Sequence, residues 1–184
     1  TEQETLISLE KNSILEYITD SVILYKDAIY KQVNNIYMDE SATLIYSDGI
    51  TSGWSKEGEE FQYSNVQLKT KVYVNNKIVL LDNLLVNPRK DDVTKLGFFE
   101  GYENFVTLLV INKNINVEIL EDLRNNINNL NLPIYFGISE LEVSGFVLRV
   151  LGNLTQNIES AINLCHNFVR KKFLNSKELS IRKY

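Results

Sequence analysis

Three isolated carboxylates are the side chains of this sequence whose types and positions could do chemistry. Each interrupts or ends a segment with the apolar alternation of a β-strand: Glu16 in ILEYI, Asp48 after ATLIYS and Asp82 in KIVLLDNLLV. A charge within an apolar pattern marks either a structural ion pair or a functional site, because an unpaired buried charge is costly. In a functional site these groups could act as general acid and base, or as oxygen ligands of a divalent cation.

For Asp82 the segment KTKVYVNNKIVLLD also allows a structural interpretation. Asn75 and Asn76 can adopt the positive φ angles of a two-residue hairpin turn, and the resulting register places Lys69 opposite Asp82. A cross-strand ion pair of this kind contributes about 0.2 to 1 kcal/mol. The same register predicts a core-facing side made of Leu68, Thr70, Val72, Val74, Val79 and Leu81.

Asp48 is the second residue of a polar stretch, SDGITSGWSKEGEE, that separates two strand-like runs. Asp followed by Gly is a common turn signal, so a structural role for Asp48 stays open. Gly53 and Gly58 are expected to shape the connection. The remaining carboxylates of the stretch are most simply solvated loop charges: Glu57, Glu59 and Glu60.

The sequence contains few other residues that could form a catalytic or metal-binding site. Cys165 and His166 are the only residues of their types, and adjacent helical positions point about 100° apart, so they do not form a nucleophile–base pair. We expect Cys165 in the core and His166 on the wetter helix face. One Cys, one His and one Met do not make a soft-ligand metal site. No GxGxxG or GxxxxGK[ST] motif suggests a nucleotide site.

The composition is that of a globular domain with 44% hydrophobic and 23% charged residues. No run approaches the ~18 apolar residues of a membrane span, and the start, TEQETLISLEKNSILEY, lacks the features of a signal peptide. The net charge of −5 disfavours nucleic-acid binding. With a single cysteine, a cytoplasmic protein is expected. Because the first residue is Thr1, we expect the chain to begin inside a larger protein.

Two regions differ in their hydrophobic period, with a boundary at Pro88. Residues 1–88 alternate with period two, which predicts layered antiparallel β-sheets resembling a sandwich. Residues 89–184 predict a small unit of strand, helix, strand, strand and helix, with Asn116 as the cap of the first helix and the second helix starting near residue 153. The expected fold class is therefore α+β and rich in β-structure.

An ordered set of segments resembles the urease accessory protein family UreD, also called UreH. The resemblance covers nearly the whole chain and corresponds to the C-terminal two-thirds of family members. The segments that carry it are LEYITDSVILYKDAIYKQ, ATLIYSDGITSGWSKEGEEFQYSNVQLKTKVYVNNKIVLLDNLLVNP, FFEGYENFVTLLVI, GISELEVSGFVLRVLGN and IRKY.

The resemblance implies a nonenzymatic scaffold and metallochaperone for GTP-dependent nickel insertion into the urease apoprotein. Its implied partners are UreF, the GTPase UreG through UreF, and the urease apoprotein, and nickel would be bound only transiently. The family is described as having an internal passage for nickel in which acidic positions take part. Asp48, Asp82 and Glu16 match such positions. Gly53 and Trp54 stand where the family usually has Gly-Arg, and the family's first third has no counterpart in this chain.

Two other functions remain open from the residues alone. A carboxylate-based hydrolase could use two of Glu16, Asp48 and Asp82, which would have to lie about 5 to 9.5 Å apart in an open cleft. A generic β-sheet interaction module would instead present a broad apolar patch and no acidic passage.

Overall fold

The computed structural model describes residues 1–179, which form nine strands and two helices in three layers. The strands are β1 (Glu2–Leu9), β2 (Ile14–Ile18), β3 (Ile29–Met38), β4 (Thr43–Thr51), β5 (Asn65–Val74), β6 (Lys77–Val86), β7 (Asn104–Ile111), β8 (Ile134–Glu140) and β9 (Gly145–Gly152). The helices are α1 (Val117–Asn128) and α2 (Thr155–Phe173). The segment IRKY, part of the sequence resemblance, lies outside the described residues.

The strands form two sheets that pack face to face. One sheet has the order β1-β3-β5-β6 and the other β2-β4-β7-β9-β8. From β1 to β5 the chain alternates between the sheets, so β1, β3 and β5 are parallel neighbours, as are β2 and β4. The β-rich α+β class is confirmed, but these pairs are parallel where antiparallel pairs were expected. A chain that crosses to the other sheet after each strand returns in the same direction, and a period-two pattern carries no information about direction.

The five-stranded sheet takes strands from both sides of Pro88. β2 and β4 come from residues 1–88, whereas β7, β8 and β9 come from residues 89–184. The boundary predicted at residue 88 therefore separates two lengths of chain that share one sheet.

Apolar side chains fill the spaces between all three layers. The helices cover one face of the five-stranded sheet through a cluster that includes Leu108, Leu123, Phe146 and Ile158. Two further clusters lie between the sheets. The first inter-sheet cluster includes Ile36, Leu44, Val72, Leu109 and Val147. The second inter-sheet cluster includes Ile50, Val66, Leu68, Val86 and Leu151.

Both helices form where the sequence predicts them. The Asn116 side chain caps α1 by accepting a hydrogen bond from the Ile119 backbone N–H at 3.2 Å, as predicted. Cys165 is buried in α2, also as predicted, and burial raises the pKa of its thiol to about 12. Neither helix, within the residues described, has both the length and the apolar character needed to cross a membrane.

An ion-pair cluster fastens β2, an edge strand, to α2. Arg170 Nη1 donates to Glu16 Oε2 at 2.5 Å, and His166 Nε2 contacts the same oxygen. Burial acts to raise the pKa of Glu16, but the hydrogen bonds with Arg170 and His166 outweigh it and leave the pKa below its ordinary value. The expectation that His166 lies on the wetter face is wrong, since its side chain is 1% exposed against β2.

The β5–β6 hairpin has the predicted turn and an unpredicted bulge. Asn75 and Asn76 have φ angles of +46° and +64°, which confirms the turn. Two residues later the register shifts at a β-bulge next to Val72, so that Tyr73 pairs with Ile78 but Val72 pairs with Leu80. The run IVLL in β6 is apolar at every position, so hydrophobic alternation does not specify its register.

The bulge turns Asp82 to the other face of the sheet. Asp82 pairs with Thr70, and Lys69 pairs with Asn83, so the predicted Lys69–Asp82 pair is wrong. The prediction that Leu81 faces the core is wrong for the same reason, and its side chain is 57% exposed. Asp82 consequently points into the space between the sheets.

The variant Glu16→Gln tests the fastening of β2 to α2. Removing the carboxylate leaves His166 and Arg170 without their anionic partner, so we expect the free energy of unfolding at pH 7 to fall by about 1 to 3 kcal/mol. The pKa of Glu16 is lowered by folding, so its contribution is present above the ordinary carboxyl pKa and is lost as the pH falls through the lowered value. Urea denaturation at pH 7 and in acid measures both effects.

Glu57→Gln is the matched control, because Glu57 forms an exposed pair with Lys26 at 3.6 Å. It should change the free energy of unfolding by less than about 0.5 kcal/mol. Equal effects of the two substitutions would contradict a structural role for the Glu16 cluster.

Candidate functional site

A line of polar side chains crosses the otherwise apolar space between the two sheets. On the four-stranded sheet it follows one register line, since Asn34 pairs with Thr70 and Thr70 pairs with Asp82. On the five-stranded sheet Asp48 pairs with Thr107 and Thr107 pairs with Arg149. With Tyr46, two residues before Asp48 on the same face, these residues make up the polar row: Asn34, Tyr46, Asp48, Thr70, Asp82, Thr107 and Arg149.

The polar row separates the two inter-sheet clusters. Along β5, Thr70 lies between Val72 of the first inter-sheet cluster and Leu68 of the second. Along β9, Arg149 lies between Val147 of the first cluster and Leu151 of the second. Side chains two positions apart share a face of a strand, so one polar residue in each strand is enough to interrupt the apolar interior.

Hydrogen bonds from both sheets converge on Asp48. Tyr46 Oη donates to Asp48 Oδ2 at 2.9 Å, and Thr70 Oγ1, from the opposite sheet, donates to the same oxygen at 3.3 Å. Asn34 Nδ2 in turn donates to Tyr46 Oη at 2.7 Å and to Thr70 Oγ1 at 3.1 Å. Asp48 therefore accepts hydrogen bonds from two hydroxyl groups, and the buried side-chain amide of Asn34 holds both hydroxyl groups in place.

Asp48 is held in a site that disfavours its charge. Burial raises the pKa of Asp48 to about 6, and the charge of Asp82 acts in the same direction. The hydrogen bonds from Tyr46 and Thr70 and the charge of Arg149 oppose the rise without cancelling it. Ionised Asp48 therefore costs the folded state free energy at neutral pH, a property typical of functional carboxylates.

At the other end of the polar row, Asp82 forms an ion pair across the sheets. Arg149 Nη2 lies 3.1 Å from Asp82 Oδ2. The side chains are 41% and 28% exposed respectively, so this end of the row reaches solvent. The partner of Asp82 is therefore Arg149 rather than Lys69.

Glu16, the third predicted site residue, lies on the opposite face of the five-stranded sheet. It pairs in register with Ile45, which faces the helices, whereas Tyr46 and Asp48 face the other sheet. Neighbouring Tyr17 does reach that inner face and stacks on Tyr46 with ring centroids 5.9 Å apart. The structure thus brings Asp48 and Asp82 into one polar row and places Glu16 apart from it.

The loop after Asp48 is mainly structural. Asp48 itself lies within β4 rather than at its end. Gly53 has φ +88°, and a Cβ there would lie 2.5 Å from the Leu24 carbonyl oxygen, so glycine is required. Trp54 is 54% exposed and packs edge-on against Tyr25 at 5.3 Å. The predicted solvated carboxylates are confirmed as exposed: Glu57, Glu59 and Glu60.

Two members of the polar row, Asp48 and Asp82, are predicted from the sequence, whereas its cation and its hydroxyl groups are not. The signal for Thr70 was present, because it appears as a polar residue on the predicted core face of β5. Arg149 carried the same signal as the aspartates, a charge within the apolar run GFVLRVLG of β9, but its partner lies in another sheet and cannot be read from that run. Within residues 1–179, no three His, Cys, Asp or Glu side chains come together as a metal site.

Comparison with known proteins supports the resemblance carried by the sequence segments. A family model described as UreD urease accessory protein matches residues 1–183. Three relatives carry the name Urease accessory protein UreD. That of Ureaplasma urealyticum serovar 10 is 41% identical over 185 residues, covering 100% of this chain and 64% of the relative. That of Streptococcus thermophilus strain CNRZ 1066 is 42% identical over 183 residues, covering 100% and 66%. That of Bacillus cereus strain ATCC 10987 is 39% identical over 182 residues, covering 99% and 66%.

The chain thus spans about two-thirds of the length of these relatives, with 64% coverage of the first. The match extends over both strand-rich regions and both helices, and so includes the whole polar row. On this basis the chain belongs to the UreD urease accessory protein family.

Proposed function

We propose that this chain acts in urease maturation as a nonenzymatic scaffold that passes nickel to the urease apoprotein. Its partners in this role are UreF, UreG recruited through UreF, and the urease apoprotein, and the energy comes from GTP hydrolysis by UreG in the cytoplasm. Family membership supports the accessory role, and nickel is the cargo rather than a resident cofactor.

The polar row is the observation that carries the proposal. It runs between two apolar clusters and contains two carboxylates, Asp48 and Asp82, with hydroxyl and amide oxygens beside them. Sparse oxygen ligands hold a divalent ion weakly enough to release it, whereas a Cys/His cage would retain it. Such a line of ligands suits the transit of nickel better than its storage.

Asp48 is the central point of the proposed route. Its ionised form is disfavoured by burial, and a divalent cation would offset that cost, so the same feature that lowers stability favours transient metal binding. Glu16 is directed at α2, and its oxygens already accept from Arg170 and His166. Its place on a nickel route stays a prediction from the family resemblance.

Asp48→Asn separates function from stability. The variant retains an acceptor for Tyr46 and Thr70 but removes the partly buried charge, so it should raise the free energy of unfolding at pH 7 by about 1 to 3 kcal/mol. The pKa of Asp48 is raised to about 6 by folding, so its stability cost appears as the pH rises from about 4 to 6 and is absent below that range. The variant and the wild type should therefore be equally stable near pH 4.

Urease activation by Asp48→Asn is expected to fall at least about tenfold, although the protein is more stable. Urea denaturation at both pH values and urease activity in cells that co-express the urease subunits measure the two effects. Full urease activation by the stabilised variant would refute the role of Asp48 on the route.

Asp82→Asn tests the outer end of the route. We expect a loss of urease activation of about 3- to 30-fold with less than about 1 kcal/mol loss of stability, because the pair with Arg149 is partly exposed. The matched control is Asp27→Asn, which removes an Asp–Arg pair with Arg89 on the surface and away from the polar row. Equal losses of urease activation in the two variants would contradict a specific role of Asp82 on the route.

Co-purification tests the scaffold role. The tagged chain, co-expressed with UreF and the urease apoprotein, should retain both of them. Asp48→Asn should retain them equally well, since Asp48 bonds to Thr70 of the opposite sheet and so lies between the sheets. Failure to retain either partner would refute the scaffold role.

A further inference from the structure

Arg149 places a positive charge in contact with Asp82 and within electrostatic reach of Asp48, the two carboxylates of the polar row. Its guanidinium pairs with Asp82, and its charge also acts to lower the pKa of Asp48. The position of Arg149 is set by the pairing of β7 with β4 and with β9, in which Thr107 lies between Arg149 and Asp48. A fixed cation at this position would repel a divalent ion approaching Asp82. A nickel route through the polar row therefore requires that Arg149 can move aside.

The structure leaves space for that movement. Arg149 pairs with Gly137 in the edge strand β8, so the residue beside it on the same face has no side chain. A Cβ built on Gly137 would meet nothing within 4 Å. The Arg149 side chain is already 41% exposed. The guanidinium can thus turn toward the β8 edge without displacing buried side chains.

The ion pair that holds Arg149 is weak enough to exchange. It rests on one contact of 3.1 Å between partly exposed side chains, and such pairs contribute only about 0 to 1 kcal/mol. A divalent ion carries twice the charge and can bind carboxylate oxygens directly. The ion can therefore replace the guanidinium, while the guanidinium keeps the ion from binding tightly.

We infer that Arg149 is a displaceable counter-cation of the polar row. It occupies the place of the divalent cargo beside Asp82, turns toward Gly137 when the ion arrives, and returns to Asp82 to help release it. This role rests on the proposed nickel route and adds to it a residue that sets the affinity of the route. Arg149 is a positioning residue in this account and is not itself a metal ligand.

Nickel binding to Arg149→Gln tests the inference. With the competing charge removed, Ni²⁺ should bind the purified chain about 3- to 10-fold more tightly than it binds the wild type. Competition with a chromophoric chelator measures the affinity. Urease activation by the variant should fall, because release becomes slower. Arg149→Lys, which retains the positive charge, should stay within about twofold of the wild-type affinity.

Arg89→Gln is the matched control, because it removes an arginine from an exposed pair with Asp27. Its nickel affinity should equal that of the wild type. Unchanged or weaker nickel binding by folded Arg149→Gln would overturn the inference. If Arg149→Gln does not fold, Gly137→Val tests the inference instead, since this variant keeps the arginine but fills the space beside it. Nickel should then bind about 3- to 10-fold more weakly, and an unchanged affinity would overturn the inference.

The same measurements distinguish the failure of this inference from the failure of the nickel route. If the route itself is wrong, neither Asp48→Asn nor Asp82→Asn will weaken nickel binding or urease activation. If only the role of Arg149 is wrong, both aspartate variants will do so, while Arg149→Gln will behave like Arg89→Gln.

Discussion

The partial burial of the Asp48 carboxylate between two β-sheets is the constraint that the rest of the interior must satisfy. A carboxylate in this position needs donors, and they come from both sheets, with Tyr46 beside it and Thr70 opposite. Asn34 orients both donors. An apolar interior of the same shape would in general be at least as stable, so the polar row is better explained by function than by folding.

The topology makes this arrangement possible. Because the chain from β1 to β5 alternates between the sheets, each sheet gains neighbours whose polar positions lie side by side in register. The apolar clusters on either side supply the burial that holds the sheets together, and the polar row lies between them. The helices pack on the outer face of the five-stranded sheet and lie outside this interior. Within the same strands, the apolar residues thus stabilise the packing of the sheets, and the polar residues form the proposed route.

Local structure was predictable where the residues that determine the backbone conformation lie within the same short segment. The capped helix after Asn116 and the Asn75–Asn76 turn depend on neighbouring residues alone. The predictions failed where the local hydrophobic pattern does not specify the register, and where the cause is distant in sequence. The β6 bulge arises in an all-apolar run, and His166 is buried by β2, a strand 150 residues away.

The β-rich character, both helices, the two aspartates of the polar row and, through the ordered segments, the family can all be read from the sequence alone. The contacts of those aspartates are visible only in the folded chain. One bulge turns Asp82 from Lys69 toward Arg149, and the pairing of the sheets brings Thr70 to Asp48. Side-chain alternation can be read along one strand, whereas a contact between sheets depends on register, strand direction and sheet order together.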